Sequence, residues 1–119
     1  MADREILINQ AGPLPISTSI QTGSNGPSML QVSGSVWTQA ADGQIGIAVL
    51  LDGTKVGEAV IWSNEPTVHR AVVPVFIEVN LDKAWPSETE MPTYTLELSP
   101  LNSATLSDYN DWFQLSFAV

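Results

Sequence analysis

Two Asp-Gly pairs, Asp42-Gly43 and Asp52-Gly53, flank the apolar run 44–51. Asp and Gly tolerate the positive φ angles that two-residue hairpin turns require, so each pair predicts a tight turn. Because the two pairs are one strand length apart, they predict a local antiparallel meander around this run. The chain is therefore expected to fold through β-hairpins.

The rest of the chain consists of short segments rich in β-branched and aromatic residues, separated by Pro, Gly, Asn, Asp and Ser. In segment 30–37, Leu30, Val32 and Val36 alternate with polar residues, the period-two pattern of a half-buried strand. No window has the spacing of an amphipathic helix. At 119 residues the chain fits one domain, 1–119. We expect an all-β, two-layer antiparallel sandwich of about eight strands: 5–9, 16–20, 30–37, 44–51, 56–62, 71–81, 93–98 and 112–117.

Composition excludes several classes of partner. Lys and Arg total 4 against 13 Asp and Glu, which gives a formal charge of −9 and argues against nucleic acid and anionic membranes. With no Cys, the chain has neither disulfides nor thiolate chemistry. The N-terminal residues do not resemble a signal peptide and no segment is long enough to span a membrane. We expect a soluble protein made in the cytoplasm, with release or surface display left open.

Two predicted strands are almost continuously apolar rather than alternating, in segments 45–51 and 71–77. In a two-layer sandwich one face of each strand normally meets water, so both faces of these strands need a cover. Another subunit is the simplest cover, and a long loop is the alternative. Pro74 cannot donate a ladder hydrogen bond, which predicts a bulge or an unpaired edge there. We expect a homo-oligomer.

Residues suited to catalysis or metal binding are few. His69 is the only histidine, and no Gly-x-Ser-x-Gly motif supplies a nucleophile. Asp108, Asn110 and Asp111 offer oxygen ligands of the type that calcium prefers, without the spacing of an EF-hand; capping of backbone amides is the alternative for these side chains. One His and no Cys argue against zinc. We predict neither an enzyme nor a cofactor or metal.

Four tryptophans, Trp37, Trp62, Trp85 and Trp112, fall near predicted strand ends or loops. An indole ring there can pack in the core or offer one face to a ligand, and the apolar C–H face of a sugar ring suits such a platform. Segment 62–70 combines Trp62 with hydroxyl and amide groups and with Arg70, one of only four basic residues. This segment is the best candidate for a carbohydrate site, although an ordinary salt bridge would also explain Arg70.

The strand series formed by segments 46–53, 69–76, 94–98 and 108–117 resembles a tumour necrosis factor-like jelly roll. That resemblance implies two packed sheets and a compact homotrimer, and the bacterial lectins of this class imply fucose-type sugar sites between subunits. In those lectins a Ser-Thr-x-Arg stretch precedes the long apolar strand, and Thr67-Val68-His69-Arg70 occupies the corresponding place here. Thr67, Arg70 and Asp108 are the residues that the resemblance carries over. The tyrosine-rich pocket of those lectins is not found around these positions.

We therefore predict a non-catalytic carbohydrate-binding protein, a homotrimeric jelly-roll lectin with sites at loops or subunit boundaries. A structural module, such as a viral or phage capsid, decoration or fibre-head protein, is the alternative. The predicted ligand-binding residues are Trp62, Ser63, Thr67, His69, Arg70, Asp108, Asn110 and Trp112.

Overall fold

The structure is a computed structural model that describes residues 4–23, 26–40 and 43–118. Its regular elements are all β-strands, and no helix in the described part is long and apolar enough to cross a membrane. The strands are β1 (Arg4–Ala11), β2 (Ile16–Gln21), β3 (Pro27–Val36), β4 (Gly43–Leu51), β5 (Thr54–Ser63), β6 (Arg70–Ala71), β7 (Val75–Asn80), β8 (Thr93–Pro100) and β9 (Trp112–Ala118).

The strands form two antiparallel sheets. Sheet A has the order β1-β9-β3, and both β6 and β7 pair with β3. Sheet B has the order β2-β8-β4-β5. The beginning of the chain thus pairs with its end in both sheets, β1 with β9 and β2 with β8, which is the wrapping of a jelly roll. The prediction of an all-β, two-sheet antiparallel jelly-roll sandwich is confirmed.

The core lies between the two sheets and follows the predicted alternation. On β3, Leu30, Val32 and Val36 are at most 1% exposed. On β9, Phe113, Leu115 and Phe117 point to the same side and are equally buried. Opposite them, sheet B contributes inward side chains that complete one hydrophobic cluster: Ile16, Ile45, Ile47, Val49, Ala59, Tyr94, Leu96 and Leu98.

Of the two Asp-Gly pairs, only the second forms the predicted hairpin turn. Asp52 and Gly53 both have positive φ, 49° and 83°, and join β4 to β5 in the predicted hairpin. Asp42 lies outside the described residues, but the strands on either side of the first pair lie in different sheets. The predicted meander is therefore wrong at that point, because the chain crosses from sheet A to sheet B instead of turning back on β3.

Most of the apolar run in β4 is buried by its own chain, which favours the alternative of a cover within the chain for residues 45–49, while Leu50 and Leu51 are half-buried. Ile45, Ile47 and Val49 are fully buried in the core. On the other side, Gly46 and Ala48 are small, and a Cβ atom on Gly46 would lie only 2.1 Å from the carbonyl oxygen of Ala59. Beside Gly46 the β8–β9 segment continues the pairing of β8 with β4, and Leu101 N donates to the carbonyl of Gly46 at 3.0 Å.

Segment 71–77 differs from the apolar run of β4 in both its secondary structure and its burial. The predicted strand 71–81 is interrupted before and at Pro74, which separates β6 from β7 as its missing N–H requires. Val72 is buried, whereas Val73 is 71% and Phe76 is 55% exposed. This segment therefore leaves apolar surface uncovered by its own chain.

Candidate functional site

Four connections meet at one end of the sandwich, which we call the loop end: β1–β2, β3–β4, β5–β6 and β8–β9. Backbone hydrogen bonds tie them together. Gly12 N donates to the carbonyl of Asp111 at 2.8 Å, and Thr67 N donates to the carbonyl of Thr38 at 2.7 Å. Trp37 forms an isolated antiparallel bridge with Leu106. The loop end is therefore a connected structure built from segments that are distant in sequence.

Asp111 is the centre of the loop end and is fully buried. Its Oδ1 accepts hydrogen bonds from Ser35 Oγ and His69 Nδ1, both at 2.7 Å. Its Oδ2 accepts a hydrogen bond from Asp108 N at 2.9 Å. A buried carboxylate is stable only when its oxygens are satisfied, and these three donors come from sheet A, the β5–β6 connection and the β8–β9 connection.

His69 is held between Asp111 and the ring of Trp37. The ring centroids of His69 and Trp37 are 5.6 Å apart. The hydrogen bond to Asp111 raises the pKa of His69; partial burial opposes this effect, and the nearby charges of Asp111 and Asp108 reinforce it. Because Nδ1 is hydrogen-bonded to Asp111, the other ring nitrogen, Nε2, points towards Asp108 and lies 3.8 Å from its Oδ2. The His69 side chain keeps 34% of its surface exposed.

Asp108 and Asp111 each cap one backbone amide of the β8–β9 connection. Asp108 Oδ1 accepts a hydrogen bond from Asn110 N at 2.8 Å, and Asp111 N donates back to the carbonyl of Asp108 at 3.0 Å. Ligand atoms of His69, Asp108 and Asp111 lie within 4.8 Å of one another. Since the oxygens of Asp111 already accept three protein hydrogen bonds, this arrangement favours the capping interpretation over a calcium site.

The remaining predicted site residues have separate surroundings. Trp62 is 61% exposed at the end of the edge strand β5. Trp112 is 55% exposed on sheet A, and its Nε1 donates to Asn9 Oδ1 at 2.6 Å. Arg70 Nη2 lies 3.7 Å from Glu65 Oε1, the ordinary salt bridge that was the alternative for this residue.

Two predicted residues serve the local fold of the β5–β6 connection. Ser63 is fully buried, and its hydroxyl donates to the carbonyl of Glu65 at 3.2 Å. Thr67 has a φ of 64°, and its hydroxyl donates to the carbonyl of Pro66 at 2.6 Å. The structure thus brings together His69, Asp108 and the backbone of Asn110, while the other predicted residues lie around them or support the loop.

The central role of Asp111 was not predicted, although the sequence contains a signal for it. Phe113, Leu115 and Phe117 are the inward residues of β9, and Asp111 falls on the same parity two positions earlier. An acidic residue at an inward position needs buried donors. The partners Ser35 and His69 are 76 and 42 residues away, so only the fold identifies them.

No protein-family model and no curated protein matches this sequence.

Proposed function

We propose that this protein is a non-catalytic carbohydrate-binding protein that acts as a homotrimer, with a sugar site at the loop end. The observation that carries the proposal is the pair formed by His69 Nε2 and Asp108 Oδ2, 3.8 Å apart. This separation leaves room for one hydroxyl oxygen in hydrogen-bond contact with both atoms. A hydroxyl group both accepts and donates, so it can accept from the imidazole N–H and donate to the carboxylate.

The pair is preorganised. His69 is oriented by the buried carboxylate of Asp111, and Asp108 is held by its cap on Asn110 N. Groups that are fixed before binding lose little conformational entropy when the ligand arrives. This rigidity supports recognition of a neutral polyhydroxyl ligand, for which each hydrogen bond is individually weak.

Exposed aromatic rings accompany this pair at the loop end. Tyr109 is 82% exposed in the β8–β9 connection, between Asp108 and the start of β9. Trp112 and Trp62 are also more than half exposed at strand ends that lead to the same loops. Rings of this kind can stack on the apolar face of a pyranose while polar groups fix its hydroxyls.

The outer surface of sheet A supports self-association. Ile6, Met29 and Phe76 are exposed there. The strand register places Ile6 and Phe76 in one row across the sheet, with Ser116 and Gln31 between them. Among the outward side chains that the structure describes on sheet A, Glu78 is the charged one. In a chain of charge −9, a face with few charges is the surface on which two copies approach with the least repulsion.

The polar groups of this face are also compatible with a second copy. Amides and hydroxyls such as those of Gln114 and Ser33 both donate and accept, so identical surfaces can pair with each other. Depletion of charge together with exposed Met, Phe and Trp is typical of the centre of a protein–protein interface. The number three comes from the jelly-roll resemblance, and three copies would convert weak sites into avid binding.

The test is a glycan array with the labelled protein, followed by tryptophan fluorescence during titration with any sugar that binds. Asp108→Asn keeps the Oδ1 cap but replaces the acceptor facing His69 with an amide donor. We expect it to weaken sugar binding about tenfold, because a hydrogen bond to a charged group is lost. Glu88→Gln makes the same charge change in the β7–β8 connection at the other end and should bind as the wild type does.

Three results would overturn the proposal. Equal binding by the wild type and Asp108→Asn would remove the sugar from this site. Binding that disappears with a chelator would indicate a metal at His69 and Asp108. The absence of binding to any glycan, with an intact oligomer, would favour the assembly module, for which the charge-poor outer face of sheet A is sufficient.

A further inference from the structure

A cleft of about 500 Å³ opens on the outer surface of sheet B, beside the β4–β5 turn and away from the loop end. Its volume is in the range of small-molecule sites. The cleft is lined by Leu50, Asp52, Gly53, Lys83, Thr95 and Glu97. None of these residues was predicted to bind a ligand.

The strand register builds the floor of the cleft. Leu50 on β4 is paired with Glu97 on β8 and with Lys55 on β5, so that an apolar residue lies between charged neighbours. Thr95 lies two positions from Glu97 and points to the same side. Its backbone N–H donates to Asp52 Oδ1 at 2.9 Å, which fixes the turn against β8.

Lys83, in the β7–β8 connection, forms the wall of the cleft. Its Nζ lies 2.8 Å from Asp52 Oδ2, donates to the carbonyl of Thr93 at 2.7 Å, and lies 4.9 Å from the ring centre of Tyr94. Burial disfavours the ionised form of Asp52, but the hydrogen bonds from Lys83 and Thr95 and the charge of Lys83 together lower the pKa of Asp52. The wall is therefore a closed ion pair.

The charges of the cleft do not cancel. Lys83 is paired with Asp52, and Lys55 is paired with Glu58 at 2.5 Å. Glu97 accepts a hydrogen bond from Ser99 Oγ at 2.5 Å, but none of the basic side chains in the described part of the chain forms an ion pair with it. One uncompensated carboxylate thus lies beside the half-buried side chain of Leu50.

We propose that this cleft binds an organic ammonium ion with a short apolar stem. The ammonium group donates to the Glu97 carboxylate and to the Thr95 hydroxyl, and the stem lies on Leu50. The formal charge of −9 raises the concentration of cations near the surface and disfavours anionic ligands. The proposal does not depend on carbohydrate binding, which involves the opposite end of the sandwich.

The test is a titration of the ¹⁵N-labelled protein with n-butylammonium at low ionic strength, followed by NMR. We expect saturable shifts confined to the amides that line the cleft: Leu50, Gly53, Thr95 and Glu97. n-Butanol, which has the same stem without the charge, should bind about fivefold more weakly or not at all. Added salt should weaken the binding of butylammonium because part of the attraction is screened.

Glu97→Gln removes the charge but keeps an oxygen that accepts from Ser99 Oγ. We expect about a fivefold loss of butylammonium affinity in this variant. Glu78→Gln makes the same charge change on the outer face of sheet A and is the matched control, with unchanged affinity expected. Thr95→Val removes only the second acceptor and should give a smaller loss, which provides an independent measure if Glu97→Gln unfolds.

Equal affinity for butylammonium and butanol would overturn the proposal. So would wild-type affinity in both Glu97→Gln and Thr95→Val, or shifts scattered over acidic residues outside the cleft. Sugar binding by Glu97→Gln is measured in parallel, and it should be unchanged whether or not the cleft binds the ammonium ion.

Discussion

The β4 run and segment 71–77 look alike in sequence but have opposite surroundings. Val49 in the first is fully buried, whereas Val73 in the second is 71% exposed. Both belong to strands that read as apolar on both faces. The comparison shows that continuous apolarity specifies a need for cover but does not specify what provides it.

The difference arises from the residues between the large ones. In β4 they are Gly46 and Ala48, which are small enough for β5 and the β8–β9 segment to approach closely. In segment 71–77 the interruption comes from Pro74, which splits the strand and leaves Val73 in the connection. Each segment is also attached at one end by a charged pair, Asp52–Lys83 for β4 and His69–Asp111 for segment 71–77.

The largest expected effect tests the internal cover of β4. Gly46→Ala places a methyl group 2.1 Å from the carbonyl oxygen of Ala59, so β4 and β5 must separate. We expect a loss of about 3 kcal/mol in the free energy of unfolding, measured by urea denaturation. Gly43→Ala is the control in the same strand, since its Cβ meets nothing within 4 Å, and it should change stability by less than about 0.5 kcal/mol. Equal effects in the two variants would mean that β4 is not closed in this way.

The second largest effect is expected on self-association, and it tests the exposed apolar residues of segment 71–77. The double variant Val73→Ser with Phe76→Ser replaces two exposed apolar side chains, one in the β6–β7 connection and one on β7. We expect self-association to weaken about a hundredfold, because central apolar contacts dominate such interfaces, as measured by analytical ultracentrifugation. Stability of the isolated chain should change little, and Met91→Ser, an exposed apolar residue in the β7–β8 connection, should associate as the wild type does. A wild-type chain that is monomeric at micromolar concentration would remove self-association from the proposed function.

The two-layer fold could be predicted because alternation and turn chemistry are local. Leu30, Val32 and Val36 showed the inward face of β3, and Asp52-Gly53 fixed the β4–β5 hairpin. The sheet to which each strand belongs was harder to predict, because no residue near Asp42-Gly43 distinguishes a hairpin from a connection between the two sheets. Local signals specify strands and turns, whereas pairing partners depend on contacts that are remote in sequence.

The candidate site could be predicted only in part for the same reason. His69 and Asp108 were singled out by residue type, and the structure places their outer atoms 3.8 Å apart. The role of Asp111 depends on Ser35 and His69, which only the folded chain brings to it. The cleft on sheet B was not predicted because its residues come from four segments, β4, the β4–β5 turn, the β7–β8 connection and β8, and none of these forms a ligand-binding motif by itself.

The smallest expected effect is a difference in how the local stability of the two segments depends on pH. In the folded protein Asp111 raises the pKa of His69, so the stabilisation is complete below the unfolded value of about 6.5 and is lost as pH rises through the folded value. The pKa of Asp52 is lowered, so its contribution is present above about 3.9 and is lost as pH falls through the folded value. Segment 71–77 should therefore loosen on the alkaline side and the end of β4 on the acid side. Hydrogen exchange measures the free energy of local opening at each site. The Val72 amide, which donates to the carbonyl of Gly34, reports on segment 71–77. The Asp52 amide, which donates to the carbonyl of Thr95, reports on the end of β4. The partial exposure of His69 keeps its effect small. His69→Gln should abolish the alkaline loosening at Val72 and leave the acid loosening at Asp52 unchanged, and the same pH profile at both amides would contradict separate attachment of the two segments.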